Sequence, residues 1–599
     1  MPDFDDLASR EWLVTNGIGG FASGTLAGCA TRRYHGLLIA ALDPPAGRMT
    51  LLGTIDATVT TADGTAIALA THRYTDGTIF PDGWKTVEPK ASQPLVYRLP
   101  DGRAVERWVE MVPGQNATVV TYTLSRPGDT LTLAPLVCWK DSHALMRRWN
   151  GFPHRSEPFD TDTWLVQPTS DSPTLYLQVI GGVWKPASWW NENLALSIEA
   201  ERGFASLEEQ FCPATVTAHS QRVTLVASLD APRVSGVVPA EPERLRAADP
   251  FVVHGGGRAT ILAGYPWFTD WGRDTFISLP GLCLSTGRLE IAREILLGYA
   301  RWVNDGRIPN RFPDHPDRDP PAYNNIDGTL WFVRACGQYL AASGDDDFQA
   351  TIQPTLDTIV AAHRSGTVGD GIGVDPADGL LRGGTSATNL TWMDAKVGGR
   401  PITPRAGKPV EVNALWIHAL RVAGHTADAD TAQAAFLTAF VRSDGLGLYD
   451  RIDAAAVPDA SIRPNQAIAA AVLDLPDRVN RAVLDTATTH LLTPYGLRTL
   501  SPIDPAYRAR YEGDGGARDS AYHQGTVWPW LIGSYIDLFR KVHGEGAGIG
   551  PLVAPLWAHF EHEYGQFGIA EVFDAEPPHR PNGCPWQAWS LAELQRVSR

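Results

Sequence analysis

The stretch Gly264-Tyr265-Pro266-Trp267-Phe268-Thr269-Asp270-Trp271-Gly272-Arg273-Asp274-Thr275 runs directly into an apolar segment, Phe276 to Leu282. Two tryptophans, a phenylalanine, two aspartates and an arginine fall within eight positions. Aromatic faces stack on the C–H faces of sugar rings, and carboxylate and guanidinium groups hydrogen-bond hydroxyls. A run holding both kinds of group suits a carbohydrate pocket. A buried aromatic turn with a structural Arg–Asp pair fits the same residues. The surrounding chain has to separate the two.

On the C-terminal side, helical periodicity appears in series. Helices are expected near 243–250, 274–285, 287–304, 326–342, 346–365, 411–425, 428–442, 464–474, 477–492, 519–541, 549–561 and 586–597, roughly twelve in all. Their connections alternate in length. Ser285-Thr286-Gly287, Ser343-Gly344-Asp345, His425-Thr426, Leu475-Pro476 and 543–548 are short. The connections 251–273, 305–325, 366–410, 443–463, 493–518 and 562–585 are long, irregular and rich in aromatics, Gly, Pro and charge. Paired helices with this alternation predict six hairpins closed into an (α/α)6 toroid over 251–599, with every long loop at one end. Long irregular loops in a compact domain are usually functional, so one pocket is expected there.

On the N-terminal side the texture is β. Leu51–Val59, Ala117–Leu124, Thr130–Val137, Thr174–Val179 and Val223–Ser228 are rich in Val, Leu and Thr, and Gly, Pro, Asp and Asn punctuate them. The pattern predicts an antiparallel β-sandwich over 1–235, then a proline-bearing linker and a first helix over 236–250. The glycine-dense opening Asn16-Gly17-Ile18-Gly19-Gly20-Phe21 does not lead from a strand into a helix, which argues against a nucleotide loop. Arg32-Arg33-Tyr34-His35-Gly36 reads as a solvated turn. The other expectation for Arg33, Tyr34 and His35 is that they reach the pocket.

Composition limits the partners. Of 599 residues, 44% are hydrophobic and 20% charged, an ordinary globular balance. A net charge of −16 argues against nucleic acid and suits a neutral ligand. The 20 tryptophans add weight to aromatic platforms for a ligand. Six dispersed cysteines form no CxxC pair, so reduced thiols in a cytoplasm are expected rather than disulfides or zinc. The acidic start MPDFDDLASREW has no signal-peptide core, and no window approaches a membrane span. No metal, cofactor or membrane partner is expected, and nothing in the sequence sets the oligomeric state.

Two long loops carry further carboxyl groups. The third holds Thr391-Trp392-Met393-Asp394-Ala395-Lys396. The sixth holds Gly568-Ile569-Ala570-Glu571-Val572-Phe573-Asp574, followed by Gly583-Cys584-Pro585-Trp586. In a toroid these loops face each other, and an acid opposite a carboxylate is the machinery of glycoside hydrolysis. Asp270 and Asp274, beside Arg273, are expected to stay ionised and accept hydrogen bonds. Asp327 and Glu411 head helices, where capping is an alternative to substrate binding. His523 and Gln524, near Trp528, are candidates to hold a hydroxyl.

The stretch AGYPWFTDWGRDTFISLPGL, the TWMDA loop and GCPWQAWS resemble the amylo-α-1,6-glucosidase domain of glycogen debranching enzymes. EWLVTNGIGGFASGT and TRRYHGLL are similar to the N-terminal domain of bacterial and archaeal members, the glycoside hydrolase family 133 type. The resemblance spans nearly the whole chain. It implies a β-sandwich followed by an (α/α)6 barrel that removes α-1,6-linked glucose with inversion. It implies Asp394 as general acid and Glu571 as general base. Trp267, Asp270, Trp271, Arg273 and Asp274 would line the terminal-glucose subsite, with Trp392, Lys396, Glu411 and Asn413 nearby and Trp586 on the final loop. A 4-α-glucanotransferase barrel is not expected, because no alternating βα series is present. The alternatives are a glucoamylase- or trehalase-like α-glucosidase, a phosphorylase using His579 and Arg580 as an anion site, and a non-catalytic α-glucan-binding protein.

Overall fold

The computed structural model describes residues 3–89, 93–231, 250–315, 319–562 and 564–599. The expected linker and the helix near 243–250 lie almost wholly outside them. The chain forms two compact units. One is Met1–Gly256 together with Phe560–Phe567, and the other is Gly257–His559 together with Gly568–Arg599.

The first unit is built from two antiparallel sheets. One runs, in spatial order, Glu11–Thr15, Phe21–Thr25, Gly36–Asp43, Ala46–Thr60, Thr130–Asp141, Leu207–Ala218 and Val183–Ala195, with Ala66–Ala68 paired beside Ala46–Thr60. The other runs Arg155–Pro158, Thr163–Gln167, Leu175–Ile180, Arg222–Ser228, Ala117–Leu124, Ala104–Met111 and Leu95–Arg98. The alternation that marks a half-buried strand is plain in Ala104–Met111, where Val105, Arg107, Val109 and Met111 are buried. All five strands anticipated from sequence lie in these sheets. Thr130–Asp141 runs farther than its apolar pattern because register shifts near Val137 carry it on to Lys140.

The turn at Arg32–His35 is not solvated. Arg32 and His35 are buried, and both reach the fully buried Glu11: Arg32 Nε at 3.0 Å and His35 Nε2 at 2.8 Å. Buried charges need partners, and Glu11 supplies one for this turn. Arg32 also donates to the Tyr564 hydroxyl at 2.8 Å. Glu11 pairs through its backbone with Tyr564 and Gln566, which is how Phe560–Phe567 joins this unit. Arg33 is held by Glu199, and Tyr34 meets His143.

The second unit is helical. Gly272–Leu279 packs on Gly328–Ser343, which packs on Val410–Val422, then Asn465–Val472, Leu531–His543 and Ala588–Val597, and the last returns to Gly272–Leu279. These helices are apolar on most faces, as inner helices must be. Ten residues of Val410–Val422 are buried. Leu289–Ala300, Asp346–Ser365, Thr426–Phe440 and Asp477–His490 pack outside them. The short link Ser343-Gly344-Asp345 is a pair of caps. Gly344 ends Gly328–Ser343 at φ 62°, and Asp345 then accepts a hydrogen bond from Phe348 N at 2.9 Å to start the next helix. Gly281 lies so close to the Ala592 backbone that a Cβ there would overlap it.

One expected helix is two. The span read as 519–541 consists of Gly515–Ala521 and Leu531–His543. Between them Gly525 takes φ 141°, and Val527–Trp528 joins the short strands Gly496–Arg498 and Val572–Phe573. Pro529 disfavours helical backbone at Trp528, so the apolar periodicity there belongs to a sheet edge. Among the described residues no helix is long and apolar enough to cross a membrane.

Candidate active site

Gly264–Tyr265 pairs with Trp586–Gln587, so the first and last long loops are joined by backbone hydrogen bonds. Arg273 follows at the start of Gly272–Leu279, only 3% exposed. Its guanidinium grips Asp327 at 2.8 and 3.0 Å and reaches Asp394 at 3.4 Å. Asp327 occupies a helix N-cap position but makes no cap bond; its carboxylate accepts from Trp392 N at 3.0 Å instead. One buried carboxylate thereby ties the Arg273 helix to the loop that carries Asp394.

This corrects the sequence reading of Arg273, whose carboxylate partner is neither Asp270 nor Asp274. Asp270 is paired with Arg258 and accepts from the Thr260 hydroxyl at 3.2 Å. Asp274 is not held ionised. Burial pushes its carboxyl up to about 8; Arg273 offsets part of this, and Asp394 and Glu571 add to it. At neutral pH Asp274 is therefore mostly a neutral acid that can donate a hydrogen bond.

Asp394 sits on a firmly held loop. The Trp392 indole donates to Asn465 Oδ1 at 2.8 Å, and Asn389 donates to the Asp394 carbonyl. The Asp394 side chain is 32% exposed, enough to meet a ligand. Burial raises its carboxyl to about 6, Arg273 opposes the rise and Asp327 reinforces it. Glu571 is buried. Its Oε1 accepts from the Tyr522 hydroxyl, and its Oε2 accepts from Cys584 N at 2.9 Å. Gly583, at φ 73°, lies against the carboxylate where a Cβ would collide. Burial and the Glu571 charge push the Tyr522 hydroxyl well above its usual range, and Asp394 contributes to the same shift. Asp274, Asp394, Glu571 and Tyr522 thus share one electrostatic neighbourhood.

The remaining candidates divide in two. Trp267 and Trp271 are partly exposed, Lys396 is exposed, and Trp271 carries the Arg311 guanidinium over its ring at 5.6 Å. Trp392, His523 and Trp528 form a buried cluster, with His523 stacked on Trp528 at 5.4 Å and Trp392 edge-on to both. His523 is kept neutral by burial and by the cations Arg463, Arg273 and Arg405, and its ring nitrogens have no partner among the described residues. Trp586 is buried at the joint between the first and last loops. Asp270, Glu411, Asn413 and Gln524 are held inside the fold. Glu411 pairs with Arg405, Asn413 bonds the Leu381 backbone in both directions, and Gln524 bridges Arg463 and Thr403. Buried side chains whose hydrogen bonds are already made within the protein shape the loops rather than offer groups to a ligand.

Tyr522 and Asp327 carry roles that sequence reasoning missed. Tyr522 stands next to His523, but the helix expected across 519–541 hid its approach to Glu571. His579 and Arg580 do not form an open anion site: His579 meets the Asp574 carbonyl, and Arg580 pairs with Asp574 and Glu512. Among the described residues no group of His, Cys, Asp and Glu could hold a metal ion.

Comparison with known proteins gives the family. Residues 246–596 match the family model described as amylo-alpha-1,6-glucosidase, and residues 10–225 match that of the glycogen debranching enzyme N terminal. These matches place the chain among the glycoside hydrolases. It belongs to the amylo-alpha-1,6-glucosidase family. The glycogen debranching enzyme of Saccharomyces cerevisiae (strain ATCC 204508 / S288c) is 27% identical over 392 residues, covering 47% of this chain and 25% of the yeast protein. The chain therefore spans about a quarter of that relative's length. Among solved structures, the GH63 mannosylglycerate hydrolase of Thermus thermophilus in complex with glucose is 16% identical, with a TM-score of 0.43 over 57% of this chain and 96% of that one. The GH78 family rhamnosidase of a Bacillus species is 13% identical, with a TM-score of 0.40 over 82% and 47%.

Proposed function

We propose that this chain removes α-1,6-linked glucose from branched α-glucans or limit-dextrin-like oligosaccharides, by inversion, within an (α/α)6 toroid. The carrying observation is the contrast between two carboxyl groups. Asp394 is raised to about 6 and partly open, whereas Glu571 accepts hydrogen bonds on both oxygens. The first setting suits an acid and the second suits a carboxylate. The cycle of six packed helices supports the toroid, and the family match supports the substrate class.

Asp394 protonates the glycosidic oxygen as the bond to the anomeric carbon breaks. Glu571 removes a proton from a water attacking the opposite face. Such a pair works at a separation of about 6.5–9.5 Å, which leaves room for that water. Asp274, protonated at neutral pH, donates to a hydroxyl of the terminal glucose, and Trp267 and Trp271 wall the entrance. The six cysteines are buried as thiols, which suits a reducing cytoplasm.

The test is product analysis on 6-O-α-glucosyl-maltooligosaccharide beside panose, isomaltose, maltotriose and trehalose. The proposal expects glucose release fastest from the branched oligosaccharide. Faster release from maltotriose or trehalose, or turnover that requires phosphate, contradicts it.

A further inference from the structure

A polar cavity lies among the packed helices of the helical unit. It measures about 20 Å³ and is lined by residues of Gly328–Ser343, Leu531–His543 and Ala588–Val597, with Phe276, Pro280 and Val472 closing it. Neither Asp394 nor Glu571, nor a hydrogen-bond partner of either, lines it.

Its charges are unevenly served. Asp537 and Glu593 both line the cavity, and both give their two oxygens to Arg596. The Asp537 bonds are 2.9 Å each, and the Glu593 bonds are 2.9 and 2.7 Å. Arg334 lines the same cavity and makes no hydrogen bond or ion pair with a described residue; its guanidinium stands 6.0 Å from the Trp331 ring centre. Beside it Trp530 is 1% exposed, and its indole N–H has no acceptor among the described residues. A buried N–H without an acceptor costs about 1–3 kcal/mol, so such groups are rare unless something accepts from them. Guanidinium and indole N–H can only donate, and Ser534 and Gln338, which can donate or accept, also line the wall.

We propose that this cavity binds one small monovalent anion of the halide class, chloride under ordinary conditions. The donors exclude a cation as the partner of Arg334 and Trp530. The volume admits a body at least one water in size. Asp537 and Glu593 disfavour a multivalent anion, while Arg596 screens a single charge from them. Burial lowers the Arg334 guanidinium from its ordinary value, and Asp537 and Glu593 do not restore it, so an added negative charge is compensated there.

The experiment is thermal unfolding of the full chain in sodium chloride against sodium methanesulfonate at equal ionic strength, with a bromide-soaked crystal as locator. The expected results are a saturable rise in Tm with chloride and one anomalous bromide peak between Arg334 and Trp530. Arg334→Gln should lose the rise. Trp530→Phe, which keeps a ring and removes the N–H, should raise the half-saturating chloride concentration about tenfold, as loss of one hydrogen bond to a charge does. Equal Tm in the two salts, or a wild-type crystal with water and no bromide at Arg334, overturns the proposal. If Arg334→Gln fails to fold, Trp530→Phe and the wild-type bromide map still decide it.

Discussion

The acid role proposed for Asp394 rests on where the residue sits. Burial raises its carboxyl to about 6 although Arg273 stands 3.4 Å away. A general acid must be protonated to act, so kcat/KM should fall as pH rises through about 6, and this limb should be missing from the residual activity of Asp394→Asn. The pH profile of kcat/KM checks this; an unchanged profile in the variant removes Asp394 from the role. Asp394→Asn and Glu571→Gln should each lower kcat about 10²–10⁴-fold while KM stays near normal. Tyr522→Phe takes one donor from Glu571 and should cost about tenfold or more in kcat, with the acidic limb moved to higher pH because the carboxylate has lost a stabilising bond. A drop in kcat with the limb unmoved would mean that Tyr522 only fills space. At this scale the sequence exposed residue types and their loops. Loop position and the flanking tryptophans singled out Asp394 and Glu571. The true partner of Arg273 was hidden, because Asp327 lies 54 positions along the chain and competed there with a capping role.

At the scale of elements, local signals were read best where one force dominates. Gly344 and Asp345 mark a helix stop and start with side-chain chemistry alone, and the alternating strands follow from one buried face. The segment 522–530 was misread because its apolar spacing fits both a helix and a strand edge, and Gly525 and Pro529 decide between them through backbone limits. The Arg32–His35 turn was misread for a different reason. Four polar residues in a row suggest solvent, and only the fold brings Glu11 beneath them. Glu11 carries a testable load. Burial alone raises its carboxyl, yet Arg32 and His35 hold it below its ordinary value. A lowered folded-state value stabilises the fold above the ordinary glutamate range, and that stability is lost as pH falls through the folded value. Glu11→Gln, which leaves the Arg32 cation buried without its counter-charge, should cost about 3–5 kcal/mol at neutral pH. It should also flatten the acid side of the urea-unfolding stability curve. A variant as stable as the parent, with the same acid slope, would show the cluster to be energetically idle.

At the scale of the whole molecule, two units divide the work. The sheet-rich unit takes in Phe560–Phe567 from far along the sequence, and the helical unit holds both Asp394 and Glu571. The alternation of short and long connections made this helical organisation legible without any relative. The boundary between the units was not, since the returning segment carries no composition signal. Family membership supports the proposed action on glycosidic bonds, and the proposal assigns the acid to Asp394 and the base to Glu571. The central claim is that the two act on opposite faces of an α-1,6-linked glucose. Proton NMR of the first glucose released from 6-O-α-glucosyl-maltooligosaccharide, read before mutarotation, tests it most directly. The β anomer is predicted; the α anomer would contradict the account.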